Sequence, residues 1–365
     1  MLASFGVLAG CSAPSPGVRQ AADWKSPDFK EPSAKEEEAP PVSTTSAPAL
    51  TVPAAPTLTE RTADLVISNQ FTETWVPVRR WCKATGMAEP SWLVSLSRPT
   101  FELRSTNGNF VFRPGVQVAE WDGVEVHLGF GPQLIDRQPY LHHLDLTKTV
   151  IPLLSGARLH CTGSPPVVVL DPGHGGQDAG AGSALSRCWE KQFTLDWALR
   201  LQHLLATNGW QVYLTRTDDR EMPLSNRVAF AEERKADLFV SLHFNSAGEN
   251  LEQAGLETYC LTPEGMPSAL TRGYGDDPGR SFPNNAFDAQ NLQLAFRVHR
   301  NLLAVNGHVD RGVRRARFLG VLRNQQRPAI LIEGGYLSNK REARLISEPA
   351  YRQKLAEAVA RGLLE

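Results

Sequence analysis

The chain contains 365 residues, of which 41% are hydrophobic and 21% are charged, so it is long enough for two domains and for a substantial core. Its 38 basic and 39 acidic side chains nearly cancel, which disfavours binding to nucleic acid or to an anionic membrane surface. The sequence has no apolar run of the roughly 20 residues that a membrane-spanning helix needs. We therefore expect globular domains with no nucleic-acid partner.

The extreme N-terminus, residues 1–11, is a short apolar segment that ends in Leu8-Ala9-Gly10-Cys11. It resembles the lipobox of bacterial lipoproteins, although no Lys or Arg precedes the cysteine. The resemblance implies that Cys11 is lipidated and is the chain's only membrane contact, which would place an outer-membrane lipoprotein at the periplasmic face of the cell envelope. The alternative is an unmodified terminal thiol. Residues 12–60 are rich in Pro, Ala, Ser, Thr and Glu and predict a disordered linker.

Residues 61–163 predict a small α+β domain. Two short apolar runs flank Thr106-Asn107-Gly108-Asn109, which is typical of a β-hairpin, and residues 118–128 form a second alternating run. A helix is predicted over residues 76–86. The region resembles the small domain at the N-terminus of some copper amine oxidases, although it contains no cluster of redox-metal ligands. We expect either a spacer that positions the rest of the chain or a binding domain.

Residues 164–365 show buried strand patterns that alternate with helical periodicity. This alternation predicts an α/β fold with an open, mostly parallel sheet flanked by helices. The predicted strands cover residues 167–171, 211–214, 237–242 and 329–332. The predicted helices cover residues 190–207, 286–305 and 350–364.

Two histidines and two glutamates are predicted to meet at one edge of this sheet. His174 follows the first strand in a Gly-rich turn, His243 and Glu333 end later strands, and Glu190 begins a helix beside the same edge. Two imidazoles and one carboxylate form a known catalytic zinc set that leaves one position for water, and a second carboxylate can act as a base. A nucleotide site is disfavoured because the Gly-rich turn lacks a Walker lysine.

Five segments in this order carry a specific resemblance. They are Leu170-Asp171-Pro172-Gly173-His174-Gly175-Gly176, Glu190-Lys191, Thr215-Arg216-Thr217-Asp218, residues 237–245 and residues 332–339. Together they resemble the zinc-dependent N-acetylmuramoyl-L-alanine amidases over essentially the whole of residues 164–365. The resemblance implies that His174, Glu190 and His243 bind one Zn²⁺ and that Glu333 is the catalytic glutamate. The implied substrate is peptidoglycan, cut between N-acetylmuramic acid and the L-alanine of the stem peptide; an activator protein is an open possibility.

Several interpretations stay open at this point. Asn245 either contacts substrate or caps a turn, and residues 261–291 either wall the substrate groove or form a surface insertion. The basic run Arg311 to Arg317 is expected to be solvated surface, with pairing to acidic groups of muropeptides as the alternative. A zinc peptidase that cuts within the stem peptide and an inactive wall-binding lipoprotein are the alternative functions.

Overall fold

The computed structural model describes residues 73–93, 98–156, 163–271, 276–305, 307 and 309–365. Cys11 and the linker predicted for residues 12–60 lie outside these residues, so lipidation and disorder stay predictions. None of the helices in the described part combines the length and the apolarity that crossing a membrane requires.

The N-terminal region, residues 73–156, is built mainly of short strands. Its strands are β1 (Trp75–Pro77), β2 (Ser91–Trp92), β3 (Phe101–Ser105), β4 (Gly108–Phe112), β5 (Val118–Trp121), β6 (Val124–His127), β7 (Gln133–Ile135) and β8 (Gln138–His142). Its helices are α1 (Val78–Thr85), α2 (His143–Asp145) and α3 (Ile151–Ser155), with a π-helical turn at Leu146–Val150 between the last two. The predicted hairpin is confirmed as β3 and β4, whose ladder runs from Phe101–Phe112 to Ser105–Gly108.

The C-terminal region, residues 163–365, alternates strands and helices. Its strands are β9 (Val167–Pro172), β10 (Gln211–Leu214), β11 (Leu238–Asn245), β12 (Leu256–Cys260), β13 (Asp310–Arg315) and β14 (Ala329–Tyr336). Its helices are α4 (Glu190–Thr207), α5 (Leu224–Glu233), α6 (Asp288–Leu303), α7 (Gly320–Arg323), α8 (Lys340–Ser347) and α9 (Pro349–Leu364), and a 3-10 helix at Pro283–Phe287 precedes α6.

The strands of both regions share one sheet. Its order is β10-β9-β11-β14-β12-β13-β6-β5-β4-β3-β2, and β1, β8 and β7 form a separate antiparallel sheet. The four neighbouring strands β10, β9, β11 and β14 run parallel to one another. Strand β12 is antiparallel to β14, and β13 is parallel to β12. The junction between the regions is the pairing of Val313 in β13 with Val126 in β6. The mostly parallel α/β fold is therefore confirmed, while the domain boundary near residue 164 stays a prediction, because the sheet continues across the two regions.

Helices cover both faces of the parallel strands. Helices α4, α6 and α9 pack on one face, and α5 and α7 pack on the other. Val168, Leu170 and Leu242 are fully buried toward the first group, and Val169 and Phe239 are fully buried toward the second. Strands buried on both faces read as continuous apolar runs, which explains the pattern in the sequence. The carboxyl ends of these strands carry the predicted site residues.

One local prediction is confirmed with a shifted start, and another is wrong. The helix predicted over residues 76–86 is α1, but it begins only at Val78, because Val76 pairs with Leu141 in the sheet of β1 and β8. The basic run Arg311 to Arg317 is not solvated surface as a whole, because it contains most of β13 and two of its arginines, Arg315 and Arg317, are buried. Arg315 and Arg317 are 3% and 6% exposed. Arg315 donates to Thr149 Oγ1 at 2.8 Å, and Arg317 donates to the carbonyl of Met266 at 2.7 Å.

Candidate metal centre

Three of the predicted residues converge at the end of the sheet. His174 follows β9, His243 lies in β11 and Glu190 is the first residue of α4, and one ligand atom from each lies within 4.8 Å of the others. Glu190 Oε2 is 3.1 Å from His174 Nε2, and Glu190 Oε1 is 2.9 Å from His243 Nδ1. The glutamate is 5% exposed, whereas the side chains of His174 and His243 are 22% and 18% exposed. The cluster is therefore anchored in the interior and opens to solvent on the histidine side.

Backbone amides fix the Glu190 carboxylate. Phe244 N–H donates to Oε1 at 3.0 Å and Ala181 N–H donates to Oε2 at 2.9 Å. Burial alone would raise the pKa of Glu190, but hydrogen bonds from His174 and His243 and the charges of both hold it well below its usual range. The position at the first turn of α4 also favours a negative charge. Glu190 is thus an ionised carboxylate with both oxygens aimed at the histidines.

The turn that carries His174 is held by two buried arginines. His174 has a φ of 63°, and the following Gly175 and Gly176 also have positive φ values. Arg216 donates to the carbonyl of Gly173 at 2.8 Å, and Arg227 donates to the carbonyl of His174 at 2.8 Å. These contacts hold His174 in a backbone conformation that a non-glycine residue rarely adopts.

A second contact sets the orientation of the His174 ring. Its Nδ1 is 2.8 Å from Asp178 Oδ1, which favours a proton on Nδ1 and leaves Nε2 to face Glu190. Burial favours the neutral imidazole, but hydrogen bonds and charges from Glu190 and Asp178 together raise the pKa of His174. Glu190, His174 and His243 thus have the arrangement of a metal-binding triad, and Asp178 supports it by orienting the His174 ring.

Close packing explains two glycines around the cluster. A Cβ on Gly180 would lie 2.6 Å from Glu190 Oε2 and 2.7 Å from His174 Cδ2, and one on Gly173 would lie 2.3 Å from His243 Cε1. Any side chain at these positions would displace a ligand. The donor set of two imidazoles and one carboxylate, held close with an exposed side, fits a catalytic zinc ion.

Glu333 lies on the strand next to His243. The two residues are register partners in parallel strands β14 and β11, so their side chains lie on the same face of the sheet. Glu333 is 9% exposed. The structure therefore brings the three predicted ligands together and sets the predicted catalytic carboxylate on the adjacent strand.

Asn245 is engaged with the protein itself. Its Nδ2 donates to Glu257 Oε2 at 3.0 Å, and its Oδ1 accepts from Ser246 N–H at 2.8 Å. The second bond is a local turn contact, whereas the first ties Asn245 to a residue of β12. A substrate contact by Asn245 stays a prediction.

Glu257 is the residue of this site that the sequence interpretation missed. It is 1% exposed and is the register partner of Glu333 across β12 and β14. Besides Asn245, its carboxylate accepts hydrogen bonds from four side chains, namely Arg311 (2.6 Å), Tyr259 (2.7 Å), Arg314 (2.8 Å) and Tyr336 (3.1 Å). Burial would raise the pKa of Glu257, but the hydrogen bonds and the two arginine charges lower it. The available signal was a lone glutamate inside the apolar run Leu256-Glu257-Thr258-Tyr259-Cys260-Leu261, where only a paired charge is tolerated.

The sequence comparisons agree on one family. The family model described as N-acetylmuramoyl-L-alanine amidase matches residues 168–365, more than half of the chain. The chain is 32% identical over 224 residues to N-acetylmuramoyl-L-alanine amidase AmiA of Salmonella typhimurium, covering 56% of this chain and 76% of AmiA. It is 32% identical over 243 residues to N-acetylmuramoyl-L-alanine amidase AmiC of Escherichia coli, covering 60% of this chain and 57% of AmiC.

A solved structure matches the same region. The catalytic domain of CwlV, an N-acetylmuramoyl-L-alanine amidase from Bacillus (Paenibacillus) polymyxa var. colistinus, is 33% identical with a TM-score of 0.44. The match covers 54% of this chain and 96% of that domain. His174, Glu190, His243 and Glu333 all fall within the residues that the family model matches. The chain therefore belongs to the N-acetylmuramoyl-L-alanine amidase family of peptidoglycan hydrolases.

Proposed function

We propose that the chain uses one zinc ion to hydrolyse the amide bond between N-acetylmuramic acid and the L-alanine of the stem peptide in peptidoglycan. The observation that carries the proposal is the convergence of His174, Glu190 and His243 on one point, with Glu333 on the adjacent strand. The family supports the amidase class, and the donor set supports zinc.

Each residue has a distinct role in this proposal. His174, His243 and Glu190 would hold the ion, and Asp178 keeps the His174 ring in place. When bound, zinc supplies a Lewis acid that polarises the scissile carbonyl and lowers the pKa of a water molecule toward neutrality. Glu333 accepts the proton of the attacking water and returns it to the leaving nitrogen of L-alanine.

The test of the bond specificity is product identification. Purified protein is incubated with peptidoglycan, and the released fragments are identified by mass spectrometry. We expect stem peptides with a free L-alanine amino group and glycan strands with unsubstituted lactyl carboxylates. Shortened stem peptides still attached to sugar would instead identify a zinc peptidase, and the absence of any release would favour an inactive wall-binding protein.

We also propose that Cys11 is lipidated and that the linker over residues 12–60 lets the amidase reach the wall from a membrane of the cell envelope. The order Leu8-Ala9-Gly10-Cys11 supports this anchor. Membrane fractionation of cells that express the chain or its Cys11→Ser variant tests it. We expect the unchanged chain in the membrane fraction and the variant outside it; equal distribution would contradict the anchor.

A further inference from the structure

Arg311 has unused hydrogen-bond donors and binds Glu257, the register partner of Glu333. Its Nε donates to Glu257 Oε1 at 2.6 Å, and its side chain is 28% exposed. The guanidinium lies 5.5 Å from the centroid of the Tyr336 ring. Its terminal nitrogens, Nη1 and Nη2, make no hydrogen bond to any residue that the structure describes. The arginine is therefore fixed at its inner end and open at its outer end.

The fixed end belongs to a cluster on the catalytic face of the sheet. Glu257 is the register partner of Glu333, and Tyr259, two residues further along β12, is the register partner of Arg314. Residues two apart in a strand share a face, so Glu333, Glu257 and Arg314 lie on one face. Arg314 shares Glu257 Oε1 with Arg311, and its own Nε is buried without a hydrogen-bond partner among the described residues.

The charges of this cluster leave an excess on the arginines. Two guanidiniums share one carboxylate, Glu257, so the three groups carry one net positive charge. The other acids nearby are Glu333, the proposed catalytic base, and Glu125 and Asp310, neither of which forms an ion pair with Arg311 or Arg314 in the described part of the chain. Asp310 accepts from His299 at 2.9 Å and from Glu125 N–H at 2.8 Å, so its oxygens already have donors.

We propose that Arg311 is a specificity residue that binds a carboxylate of the stem peptide through Nη1 and Nη2, and that Glu257 is its positioning residue. The proposal rests on the proposed function, because it takes a stem peptide as the substrate. A guanidinium held by its Nε presents a planar pair of donors that matches both oxygens of a carboxylate. A sugar hydroxyl gains less from a positive charge than a carboxylate does and cannot accept from both nitrogens through two oxygens, which is why a carboxylate is the ligand that this arrangement favours.

The experiment compares two substrates and three variants of the full chain. The substrates are N-acetylmuramyl peptides that differ only in whether every peptide carboxylate is free or amidated. We expect Arg311→Gln to lower kcat/KM on the free-carboxylate substrate by roughly 10- to 100-fold, chiefly through KM, because a charge-assisted pair is lost. On the amidated substrate we expect a change of less than about threefold. Arg311→Lys should fall between the parent chain and Arg311→Gln, because it keeps the charge but not the paired donors.

The matched control is Arg300→Gln. Arg300 also donates to a carboxylate, Glu365 Oε2, at 2.6 Å, but it lies on α6, which packs on the opposite face of the sheet. This variant should have the same kcat/KM as the parent chain on both substrates. Zinc content and thermal unfolding of each variant show whether the fold and the metal site persist.

Two results would overturn the proposal. An equal loss on both substrates would mean that Arg311 acts only by supporting the structure, and no loss on either would mean that it does not touch substrate. Calorimetric binding of the free and amidated peptides, measured without turnover, makes the same comparison if the parent chain cuts neither substrate. If the parent chain cuts neither peptide but binds the free-carboxylate peptide more tightly, the amidase proposal is refuted and the role of Arg311 stands. If the parent chain binds both peptides equally, the role of Arg311 is refuted.

Discussion

Asp171 shows how a residue outside the candidate metal cluster can position that cluster. Its carboxylate is 1% exposed and accepts from Arg227 at 2.6 Å, from Thr215 at 2.7 Å and from Ser241 at 2.8 Å. Burial would raise the pKa of Asp171, but the Arg227 charge and these hydrogen bonds lower it, so the group is ionised. Arg227 in turn holds the carbonyl of His174. The chain of contacts therefore runs from a buried ion pair to His174, a candidate metal ligand.

We predict that Asp171→Asn lowers the free energy of unfolding by about 3–5 kcal/mol, because it leaves the buried Arg227 without its counter-charge. Zinc affinity should also fall by roughly 10- to 100-fold as the His174 turn loosens. Urea unfolding and zinc titration measure the two effects. Asp218→Asn is the control, since Asp218 pairs with Arg220 where both side chains are more than half exposed. Equal effects of the two substitutions would contradict this role of Asp171.

At the scale of elements, the loop between β9 and α4 carries the tightest geometric constraint. Gly180 has a φ of 69° and faces Glu190 and His174 at distances that exclude a Cβ. Gly209, after α4, has a φ of 81° but open space around it. The two glycines share a backbone conformation and differ in what a side chain would meet.

We predict that Gly180→Ala and Gly209→Ala both destabilise the fold by roughly 1–2 kcal/mol, the cost of a left-handed conformation for a residue with a Cβ. Only Gly180→Ala should also lower zinc affinity, because its methyl group displaces Glu190 and His174. Zinc titration beside thermal unfolding separates the two effects. Unchanged zinc affinity in Gly180→Ala would show that the ligands are free to move.

The elements that the sequence predicted are those with strong local patterns. Helix α4 matches its predicted range of residues 190–207, and the strand predicted at 167–171 differs from β9 by one residue. Strands β12 and β13 were missed because their stability comes from pairing with strands far away in the sequence. The candidate ligands were predicted because each follows a strand or begins a helix that the sequence pattern shows. Glu257 was missed because its role depends on partners from β11, β13 and β14.

At the scale of the whole molecule, the N-terminal region supplies partners to buried polar groups of the C-terminal region. Arg315 donates to Thr149 Oγ1, and Gln293 Nε2 donates to the carbonyl of Pro152 at 2.7 Å and to Ser155 Oγ at 3.1 Å. Lys148 also pairs with Asp288 at 3.0 Å. These contacts and the pairing of β6 with β13 indicate that the N-terminal region supports the catalytic region in addition to any spacing role.

We predict that residues 164–365 expressed alone are less stable than residues 73–365 by at least about 3 kcal/mol. Removal of the N-terminal region exposes apolar side chains of the core cluster that both regions share, and it takes the partners away from Arg315, Gln293 and the edge of β13. Water then solvates these polar groups, so each lost hydrogen bond costs only about 0.5–1.5 kcal/mol, and the newly exposed apolar surface adds to the loss. Urea unfolding of both chains measures the difference. Equal stability would mean that these contacts contribute nothing and that the predicted boundary near residue 164 separates independent domains.

The proposed zinc mechanism is tested most directly by the turnover of Glu333→Gln on an N-acetylmuramyl peptide, measured on protein whose zinc content is determined in the same sample. We predict one zinc per chain, as in the parent protein, because His174, Glu190 and His243 are unchanged. We also predict a turnover lower by about 10²–10⁴-fold, because the carboxamide accepts no proton from water. Turnover close to that of the parent chain in a zinc-loaded Glu333→Gln sample would contradict the catalytic role of Glu333.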